Sequence, residues 1–500
     1  MLFNKLDKSY LPFHAMGELQ SFDDAKLATD YIKKIYDTNI EKIRTAFGHF
    51  INSTDTDIID NFPKIADANY PFLGIKVTRK DLNLDASLAY GVISEPGVYG
   101  GTLTRPDIFY DYYLEQISLL IKRHNVPVFV GNSAWPIPLP FAIDTHAEFK
   151  NSQAIDLSGL WQLDAGFVLP NLTNIDDDIA NCTHKPQSTI KPISIFTGER
   201  VDYSLHRLHH YTGTSPEHFQ GFILLTNYQR YADEFIRYGL DALLADDAYT
   251  DLILPGGISC KTETDIPSSI PLPQMPAYHL KRKDGMGITF INIGVGPSNA
   301  KNITDHLAVL RPHCWLMVGH CAGLRQTQIL GDYVLAHGYV RDDNVLNLDL
   351  PIWVPVPPIA EVQVALQEAV QTISNQKGRD VKHSMRTGTV ISTDDRNWEL
   401  RTKQLYKEFR QSRAIALDME SATVAANGFR FRVPYGTLLC VSDKPIHGEL
   451  KLRGMANQFY NDRVTQHLHV GLETMRILRE KGVDDLHSRK LRGFDEPPFR

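Results

Sequence analysis

The sequence predicts an α/β protein in which an N-terminal α+β domain precedes a larger domain built on a mixed, mainly parallel sheet. At 500 residues the chain is too long for one ordinary hydrophobic core. Beyond residue 215, short apolar runs alternate with amphipathic helical patterns, which is typical of a mainly parallel sheet. The first third mixes helical and strand patterns instead. We therefore expect domains over residues 1–197 and 198–500.

Apolar, β-favouring runs mark the strands expected in the second domain. They are Gly221–Leu225, Ile288–Ile293, Cys314–Val318 and Thr437–Val441. A helical stripe runs from Val464 to Met475 near the C-terminus. In the first domain, Pro106 favours the first turn of a helix with Thr104 as its cap, and a strand is expected at Val126–Val130.

The composition is that of a water-soluble globular protein, with 43% hydrophobic residues, 22% charged residues and a net charge of -7. A mildly acidic chain without a basic stripe has no electrostatic reason to bind nucleic acid or an anionic membrane. No apolar stretch is long enough to span a bilayer, and the N-terminus does not resemble a signal peptide. We therefore expect a cytoplasmic location. The dispersed cysteines form no CxxC pair, so neither a zinc site nor disulfides are expected.

Two motifs near the C-terminus carry carboxyl groups in informative positions. In Thr437–Pro445, an apolar strand ends in Ser442-Asp443, so Asp443 would stand at the carboxyl edge of the sheet, where open α/β sheets place their ligands. The other motif is Asp418-Met419-Glu420-Ser421. An acidic pair at a helix start also favours the helix dipole, which is the alternative explanation for this motif.

Glycine-rich segments follow two of the expected strands. Gly294–Pro297 resembles a phosphate-cradling turn, but Asn299 stands where a dinucleotide fingerprint has its third glycine, so we reject a Rossmann site. A tight strand-to-helix turn is the alternative. After the next strand, His320 could contact a ligand or bond only locally. Arg325, just beyond a glycine turn, suits bidentate phosphate binding or is a surface arginine.

The order of these segments resembles the hexameric nucleoside phosphorylase and nucleosidase family, and within it the AMP nucleosidases. Four further stretches share that likeness: Thr102–Pro106, Asp202–Thr214, Pro273–Leu280 and Arg386–Val390. The resemblance therefore covers essentially the whole chain. It implies a C-terminal nucleoside phosphorylase-like catalytic domain, an N-terminal regulatory domain, and hydrolysis of AMP to adenine and ribose 5-phosphate.

The resemblance also implies roles for single residues. Met419 would pack on the ribose, and Glu420 would accept hydrogen bonds from its 2′- and 3′-hydroxyls. A missing hydroxyl would then cost roughly 1.5–3 kcal/mol. Asp443 matches the acid that protonates N7 of the departing purine. Its pKa must then lie roughly 2–3 units above the ordinary value. Arg453 lies near the place of a family arginine that positions this acid, although a surface arginine is an equal alternative.

Departures from the family pattern indicate the nucleophile. Phosphorylases of the family carry an arginine where Met317 stands, and a glycine-aspartate turn where this chain has Thr226–Arg230. Their loss favours water over phosphate, without identifying the group that activates the water. Candidate contacts for the 5′-phosphate of AMP are Arg230, Arg325 and His210. By resemblance, His210 would reach the site of the neighbouring subunit, so that the active sites lie near subunit interfaces.

The helical spacing of His206, His209 and His210 could hold a metal. No carboxylate or thiol partner is evident, so a capped helix is favoured and no metal is expected.

By resemblance, we expect a homohexamer activated by ATP and inhibited by phosphate, with no redox cofactor. Two other kinds of function stay open. One is a related purine nucleoside phosphorylase or a methylthioadenosine-type nucleosidase. The other is a non-catalytic adenine-nucleotide sensor, which the presence of both Glu420 and Asp443 disfavours.

Overall fold

A computed structural model describes residues 15–51, 67–82, 87–143, 166–185, 189–270, 272–450, 458–487, 491–494 and 496–500. The chain forms two compact units. The first comprises Met1–His206 together with Arg492–Arg500, and the second comprises Arg207–Leu491. The division falls within the helix Gly198–Thr212, whereas the sequence placed it between residues 197 and 198 and left the last residues in the second domain.

The first unit is an α+β structure around a five-stranded sheet. Its strands are β1 (Ala15–Phe22), β2 (Asn69–Val77), β3 (Gly97–Thr102), β4 (Val128–Pro136) and β5 (Ile190–Pro192). Its helices are α1 (Ala25–Ile51), α2 (Pro106–His124) and α3 (Leu139–Ala142). The strand order is β1-β4-β2-β3-β5, and every pairing is antiparallel except β3 with β5. This arrangement confirms the α+β prediction.

Helix α2 begins at Pro106 as predicted, but Thr104 is not its cap. The cap residue is Arg105, in the left-handed conformation with φ 45°. The Thr104 hydroxyl instead donates to the Asp202 carboxylate at 2.8 Å, and Tyr70 donates to the other oxygen at 2.7 Å. Asp202 is buried, so its carboxylate competes successfully for the threonine hydroxyl.

The C-terminal residues 492–500 pack on the first unit. The backbone N–H of Phe499 donates to the carbonyl of Ile193 at 3.1 Å, and the Phe499 ring is buried against Tyr112, with centroids 6.0 Å apart. The Tyr112 hydroxyl donates to the carbonyl of Arg500 at 2.7 Å. Burial of the aromatic ring together with these hydrogen bonds holds the segment in place.

The second unit is built on a ten-stranded mixed sheet. Its strands are β6 (Phe222–Thr226), β7 (Tyr249–Leu254), β8 (Ile258–Cys260), β9 (Ala277–Arg282), β10 (Ile288–Asn292), β11 (Cys314–Gly323), β12 (Tyr333–Asp342), β13 (Met385–Thr393), β14 (Ala416–Asp418) and β15 (Tyr435–Asp443). The four apolar runs identified in the sequence are β6, β10, β11 and β15. Their positions confirm those strand predictions.

Helices follow these strands. After α4 (Gly198–Thr212), which spans the division, they are α5 (Arg230–Ala245), α6 (Pro297–Leu307), α7 (Ala360–Ser374), α8 (Val381–Ser384), α9 (Thr402–Ser412), α10 (Ser421–Phe431) and α11 (Gln458–Lys481). No helix in the described part of the chain is both long enough and apolar enough to cross a bilayer.

The sheet has the order β14-β13-β12-β15-β11-β6-β10-β9-β7-β8, and β14 also pairs with β11. Strands β15, β11, β6 and β10 are consecutive and parallel. The additional β14–β11 pairing closes β11, β15, β12, β13 and β14 into a ring. Strand β7 pairs antiparallel with both β8 and β9, and β12 pairs antiparallel with β15. The sheet is therefore more mixed than the sequence indicated. The α/β prediction is confirmed.

Candidate active site

One residue of β11 lies between the two carboxyl-bearing motifs. Ala322 pairs with Leu417 of β14 on one side and with Asp443 of β15 on the other. Neighbouring strands are separated by about 4.8 Å, so Leu417 and Asp443 lie about 10 Å apart across β11. Glu420 follows Leu417 by three residues. The fold thus brings together two motifs that are separated in the sequence, at the ends of β14 and β15.

The Glu420 side chain is completely buried and both of its carboxylate oxygens are engaged. The backbone N–H of Gly296 donates to Oε1 at 2.6 Å, and the Asn227 side-chain amide donates to Oε2 at 3.0 Å. Burial, followed by the nearby charge of Asp418, raises the pKa of Glu420 above its ordinary value, while these two donors and the backbone N–H of Met419 oppose that rise. A carboxylate has about four acceptor sites, so acceptor capacity remains. Such a carboxylate can accept hydrogen bonds from two neighbouring hydroxyls.

Asp418 is also buried, and it caps the helix that begins just after Glu420. Its Oδ1 accepts from the Ser392 hydroxyl at 2.5 Å, and its Oδ2 accepts from the backbone N–H of Ser421 at 2.9 Å. The Ser392 hydroxyl in turn accepts from the N–H of Ala422 at 2.8 Å. These bonds satisfy free N–H groups in the first turn of α10. Asp418 therefore fixes the corner from which Met419 and Glu420 project, and the helix-start explanation applies to Asp418.

The glycine-rich turn after β10 contributes a backbone donor. Gly294 has φ +70° and Gly296 has φ +117°, conformations that residues with a Cβ rarely adopt. The Asn292 side chain accepts from the N–H of Gly294 at 3.1 Å and thereby shapes the turn. In this conformation the Gly296 N–H reaches Glu420. The turn considered in the sequence as a phosphate cradle or a tight turn is used here to hold a carboxylate.

Asp443 ends β15, as predicted, and its side chain is half-buried. The Ser442 hydroxyl lies 2.6 Å from Asp443 Oδ1 and 3.3 Å from the carbonyl of Cys321. A hydroxyl can donate to an ionised carboxylate, or donate to the carbonyl and accept the proton of a neutral carboxyl. Ser442 can therefore bond Asp443 in either protonation state. The neighbouring Lys444 ammonium pairs with Glu449 at 2.6 Å, so its charge has another carboxylate partner.

His320 lies on β11 within a cluster of aromatic rings. Its ring packs edge-on against Tyr228, with centroids 4.7 Å apart, and is stacked on Tyr231 at 5.6 Å. The Tyr231 hydroxyl lies 2.7 Å from Nδ1 of the buried His467. Nε2 of His467 donates to the carbonyl of Leu438 at 2.9 Å. These contacts give His320 a packing role, and its contact with a ligand stays a prediction.

Met317 is completely buried in the middle of β11. A Cβ on Gly319 would lie 2.8 Å from the Met317 methyl carbon and 3.2 Å from Oδ1 of Asn227. The methionine methyl and the asparagine amide therefore both lie against Gly319. An apolar methyl group in this position offers no charge to an anion.

The three residues predicted to contact the 5′-phosphate belong to other elements than the two carboxyl motifs. Arg230 is exposed at the start of α5, and His210 is exposed near the end of α4. Arg325 is exposed, and its guanidinium donates to the carbonyl of Arg413 at 2.7 Å, as expected for the surface alternative. Arg453 lies outside the described residues. The binding roles of these residues stay predictions.

Sequence reasoning missed two groups at this site, Asn227 and Gly296, and it gave Asp418 no role of its own. Asn227 was noted only as part of a replaced turn, and Gly296 only as a weak phosphate signal. The useful signal was their position at the carboxyl ends of β6 and β10, which pair in parallel as far as Thr226 and Asn292. Side chains and turns at such neighbouring ends meet at one edge of the sheet.

Comparisons with known proteins agree with this architecture. Residues 27–191 match the family model described as "Bacterial AMP nucleoside phosphorylase N-terminus", and residues 264–470 match the model described as "Phosphorylase superfamily". The chain is 47% identical over 480 residues to the AMP nucleosidase of Escherichia coli (strain K12), which covers 95% of this chain and 98% of that protein. The chain belongs to the AMP nucleosidase family.

Two further AMP nucleosidases are similar to this chain. The AMP nucleosidase of Escherichia coli O157:H7 is likewise 47% identical over 480 residues, with the same shares covered. A crystal structure of AMP nucleosidase from Bacteroides thetaiotaomicron VPI-5482 aligns with 56% of this chain and 98% of its own, at 28% identity and a TM-score of 0.42. Membership of the AMP nucleosidase family confirms the resemblance stated from the sequence.

Proposed function

We propose that this protein hydrolyses the N-glycosidic bond of AMP to adenine and ribose 5-phosphate. The observation that carries the proposal is the pairing of Leu417 and Asp443 with the same residue, Ala322, in a chain of the AMP nucleosidase family. Because of this pairing, the segment that carries the buried Glu420 and the strand-end Asp443 lie on two sides of β11, which supports a sugar-binding role for one and an acid role for the other. A nucleoside monophosphate offers a group to each: a sugar diol and a purine N7.

In the proposed reaction, Asp443 supplies a proton to N7 of adenine as the bond between C1′ and N9 breaks and its electron pair moves into the base. Protonation is needed because adenine leaves poorly as an anion. The ionised Glu420 accepts hydrogen bonds from the 2′- and 3′-hydroxyls and stabilises positive charge developing on the ribose ring. Met419 packs on the sugar. Water adds its oxygen to C1′ and releases a proton to solvent, which gives ribose 5-phosphate, and Asp443 regains a proton from solvent for the next cycle.

Water is the proposed nucleophile because the Met317 methyl group and the neutral Asn227 amide lie at Gly319. Neither carries the positive charge that a phosphate nucleophile would require. The 5′-phosphate of the substrate would be bound by His210, Arg230 and Arg325, with His320 and Arg453 as further substrate contacts.

Product analysis tests the reaction directly. The protein is incubated with AMP, adenosine or methylthioadenosine, each with and without inorganic phosphate, and the products are separated by chromatography. We expect adenine and ribose 5-phosphate from AMP, independent of phosphate as a reactant. Phosphate-dependent formation of ribose 1-phosphate from adenosine would indicate a phosphorylase. Preferential cleavage of methylthioadenosine would indicate the other nucleosidase, and tight AMP binding without any product would indicate a sensor.

We also propose that the enzyme is a cytoplasmic homohexamer whose N-terminal unit mediates activation by ATP and inhibition by phosphate. Family membership supports this proposal, and no metal or redox cofactor takes part in it. Mass photometry should give six times the 56.5 kDa chain mass. AMP hydrolysis should rise with ATP and fall with phosphate. A monomer whose activity ignores both effectors would contradict the proposal.

A further inference from the structure

The structure assigns a positioning role to Asn227, acting together with the backbone N–H of Gly296. We infer that these two donors hold the Glu420 carboxylate in the orientation that accepts both ribose hydroxyls, and that they thereby determine the preference for ribonucleotides over 2′-deoxyribonucleotides. The inference rests on the proposed function, because it concerns how the same site selects its sugar.

The first argument is the geometry of the carboxylate. Glu420 has no solvent exposure, and the Gly296 N–H and the Asn227 amide engage different oxygens, at 2.6 Å and 3.0 Å. Two fixed donors on opposite oxygens prevent rotation of the carboxylate about its terminal bond. The lone pairs that remain therefore have fixed directions. A preorganised acceptor discriminates more sharply than one that can turn to satisfy a single hydroxyl.

The second argument is that the two donors are held relative to each other. They belong to the segments that follow β6 and β10. The Asn292 side-chain amide donates to the Gln229 side chain at 2.7 Å, and the N–H of Ile293 donates to the carbonyl of Thr226 at 2.8 Å. These bonds cross-link the two segments. A shift of one donor would therefore move the other, so the pair acts as a unit.

The third argument is the glycine beneath Asn227. A Cβ on Gly319 would lie 3.2 Å from the Asn227 Oδ1 atom, which is tighter than ordinary van der Waals contact. The missing side chain of Gly319 leaves space for the asparagine amide to reach Glu420. This accounts for the first glycine of the Gly319–Gly323 segment without invoking a ligand.

The test compares wild type with Asn227→Ala and Asn227→Asp. Asn397→Asp serves as the matched control, because the Asn397 side chain is exposed in the segment after β13 and lies outside the turns that hold Glu420. For each, kcat and KM are measured with AMP and with 2′-deoxy-AMP, and thermal unfolding is followed by circular dichroism.

We expect Asn227→Ala to lower kcat/KM for AMP by about ten- to a hundredfold and to change the value for 2′-deoxy-AMP much less, so that their ratio collapses. Asn227→Asp should lower the ratio further, because a carboxylate would face Glu420. The control should keep the wild-type ratio. If the role of Asn227 were purely structural, its replacement would lower kcat/KM for both substrates by the same factor. Equal losses, or an unchanged ratio in either Asn227 variant, would overturn the inference.

This outcome is separate from the fate of the proposed function. If the wild type hydrolyses AMP and the ratio is unchanged in the variants, only the positioning role fails. If the wild type does not hydrolyse AMP, the proposed function fails, and calorimetric titration with AMP and 2′-deoxy-AMP replaces the kinetics. The same collapse of the affinity ratio in Asn227→Ala would then support the positioning role, and equal weakening would refute it.

Discussion

Glu420 and Asp443 flank the same strand, yet their surroundings differ. Glu420 is completely buried, and donors from two strand ends engage both of its oxygens. Asp443 is half-buried beside a serine hydroxyl that can donate or accept. A group that must stay ionised and fixed benefits from preorganised donors. A group that must release and regain a proton benefits from a partner that suits both states. The surroundings therefore suit Glu420 to hold one orientation and Asp443 to exchange a proton, as the proposed sugar-binding and acid roles require.

The largest expected effect is the loss of turnover when the proposed acid, Asp443, is replaced. Asp443→Asn should lower kcat for AMP by about 10²–10⁴-fold, the usual contribution of general acid catalysis. AMP binding and the ratio of AMP to 2′-deoxy-AMP affinity should survive, because Glu420 is untouched. Steady-state kinetics and calorimetry measure both. The exposed Asp394 provides a matched control, Asp394→Asn. Normal turnover in Asp443→Asn would disprove the proposed acid.

The next largest effect concerns Glu420, the residue proposed to bind the ribose hydroxyls. Glu420→Gln removes the charge and places an amide N–H against one of the two donors. We expect the kcat/KM ratio of AMP to 2′-deoxy-AMP to fall by about ten- to a hundredfold. As for the Asn227 variants, kcat and KM are measured with AMP and with 2′-deoxy-AMP. A variant that still prefers AMP as strongly as wild type would show that Glu420 does not bind the sugar hydroxyls.

A stability measurement tests the contribution of His467, which bonds the strand that ends in Asp443. Burial lowers the pKa of His467 to about 4, and its ring bonds the carbonyl of Leu438 in β15. The unfolded chain therefore binds a proton below about pH 6.5 that the folded protein does not. The contribution of His467 to stability should therefore be full above that pH and should fall by up to about 1.4 kcal/mol per pH unit on going down towards pH 4.

Urea unfolding at pH 7.5 and 5.0 checks this expectation. His467→Gln should lose stability at pH 7.5 and show a shallower decline towards pH 5.0. The exposed His337 provides the control, and His337→Gln should keep the wild-type decline. The buried His279, whose pKa burial also lowers, contributes in the same direction and should leave part of the slope in His467→Gln. An unchanged slope in that variant would contradict the assignment.

A smaller effect concerns the pH dependence of kcat/KM that the ionisation of Glu420 should cause. Burial and the charge of Asp418 raise the pKa of Glu420, and Glu420 must be ionised to accept two hydroxyls. Activity should therefore fall as pH drops through that raised pKa. Asp418→Asn removes the neighbouring charge, so the acid limb of kcat/KM should move to lower pH. The pH–rate profile of the two proteins decides this. A limb that moves to higher pH would refute the electrostatic coupling.

The smallest effect concerns Ser442. Ser442→Ala removes one hydrogen bond to Asp443, worth about 1 kcal/mol, so kcat should fall by less than about tenfold. Substrate discrimination should be unchanged. A loss as large as that of Asp443→Asn would mean that the hydroxyl itself takes part in proton transfer.

Local patterns predicted the elements well where one physical rule dominated. Apolar β-favouring runs became β6, β10, β11 and β15, because burial on both faces of a sheet demands them. The place of Asp443 at a strand end followed from the same pattern. The cap of α2 was predicted incorrectly, because the distant Asp202 takes the Thr104 hydroxyl. Propensity describes neighbours in sequence and contains no information about such a partner.

For the candidate site, the sequence by itself determined which chemical groups are present in suggestive positions: a carboxyl after a buried strand, a second carboxyl at a helix start, and a glycine turn between strand and helix. Only the tertiary structure decided that Ala322 lies between both carboxyl motifs and that Asn227 and Gly296 meet on Glu420. Strand order and register bring these residues together. They depend on the packing of the whole sheet, which no local pattern encodes.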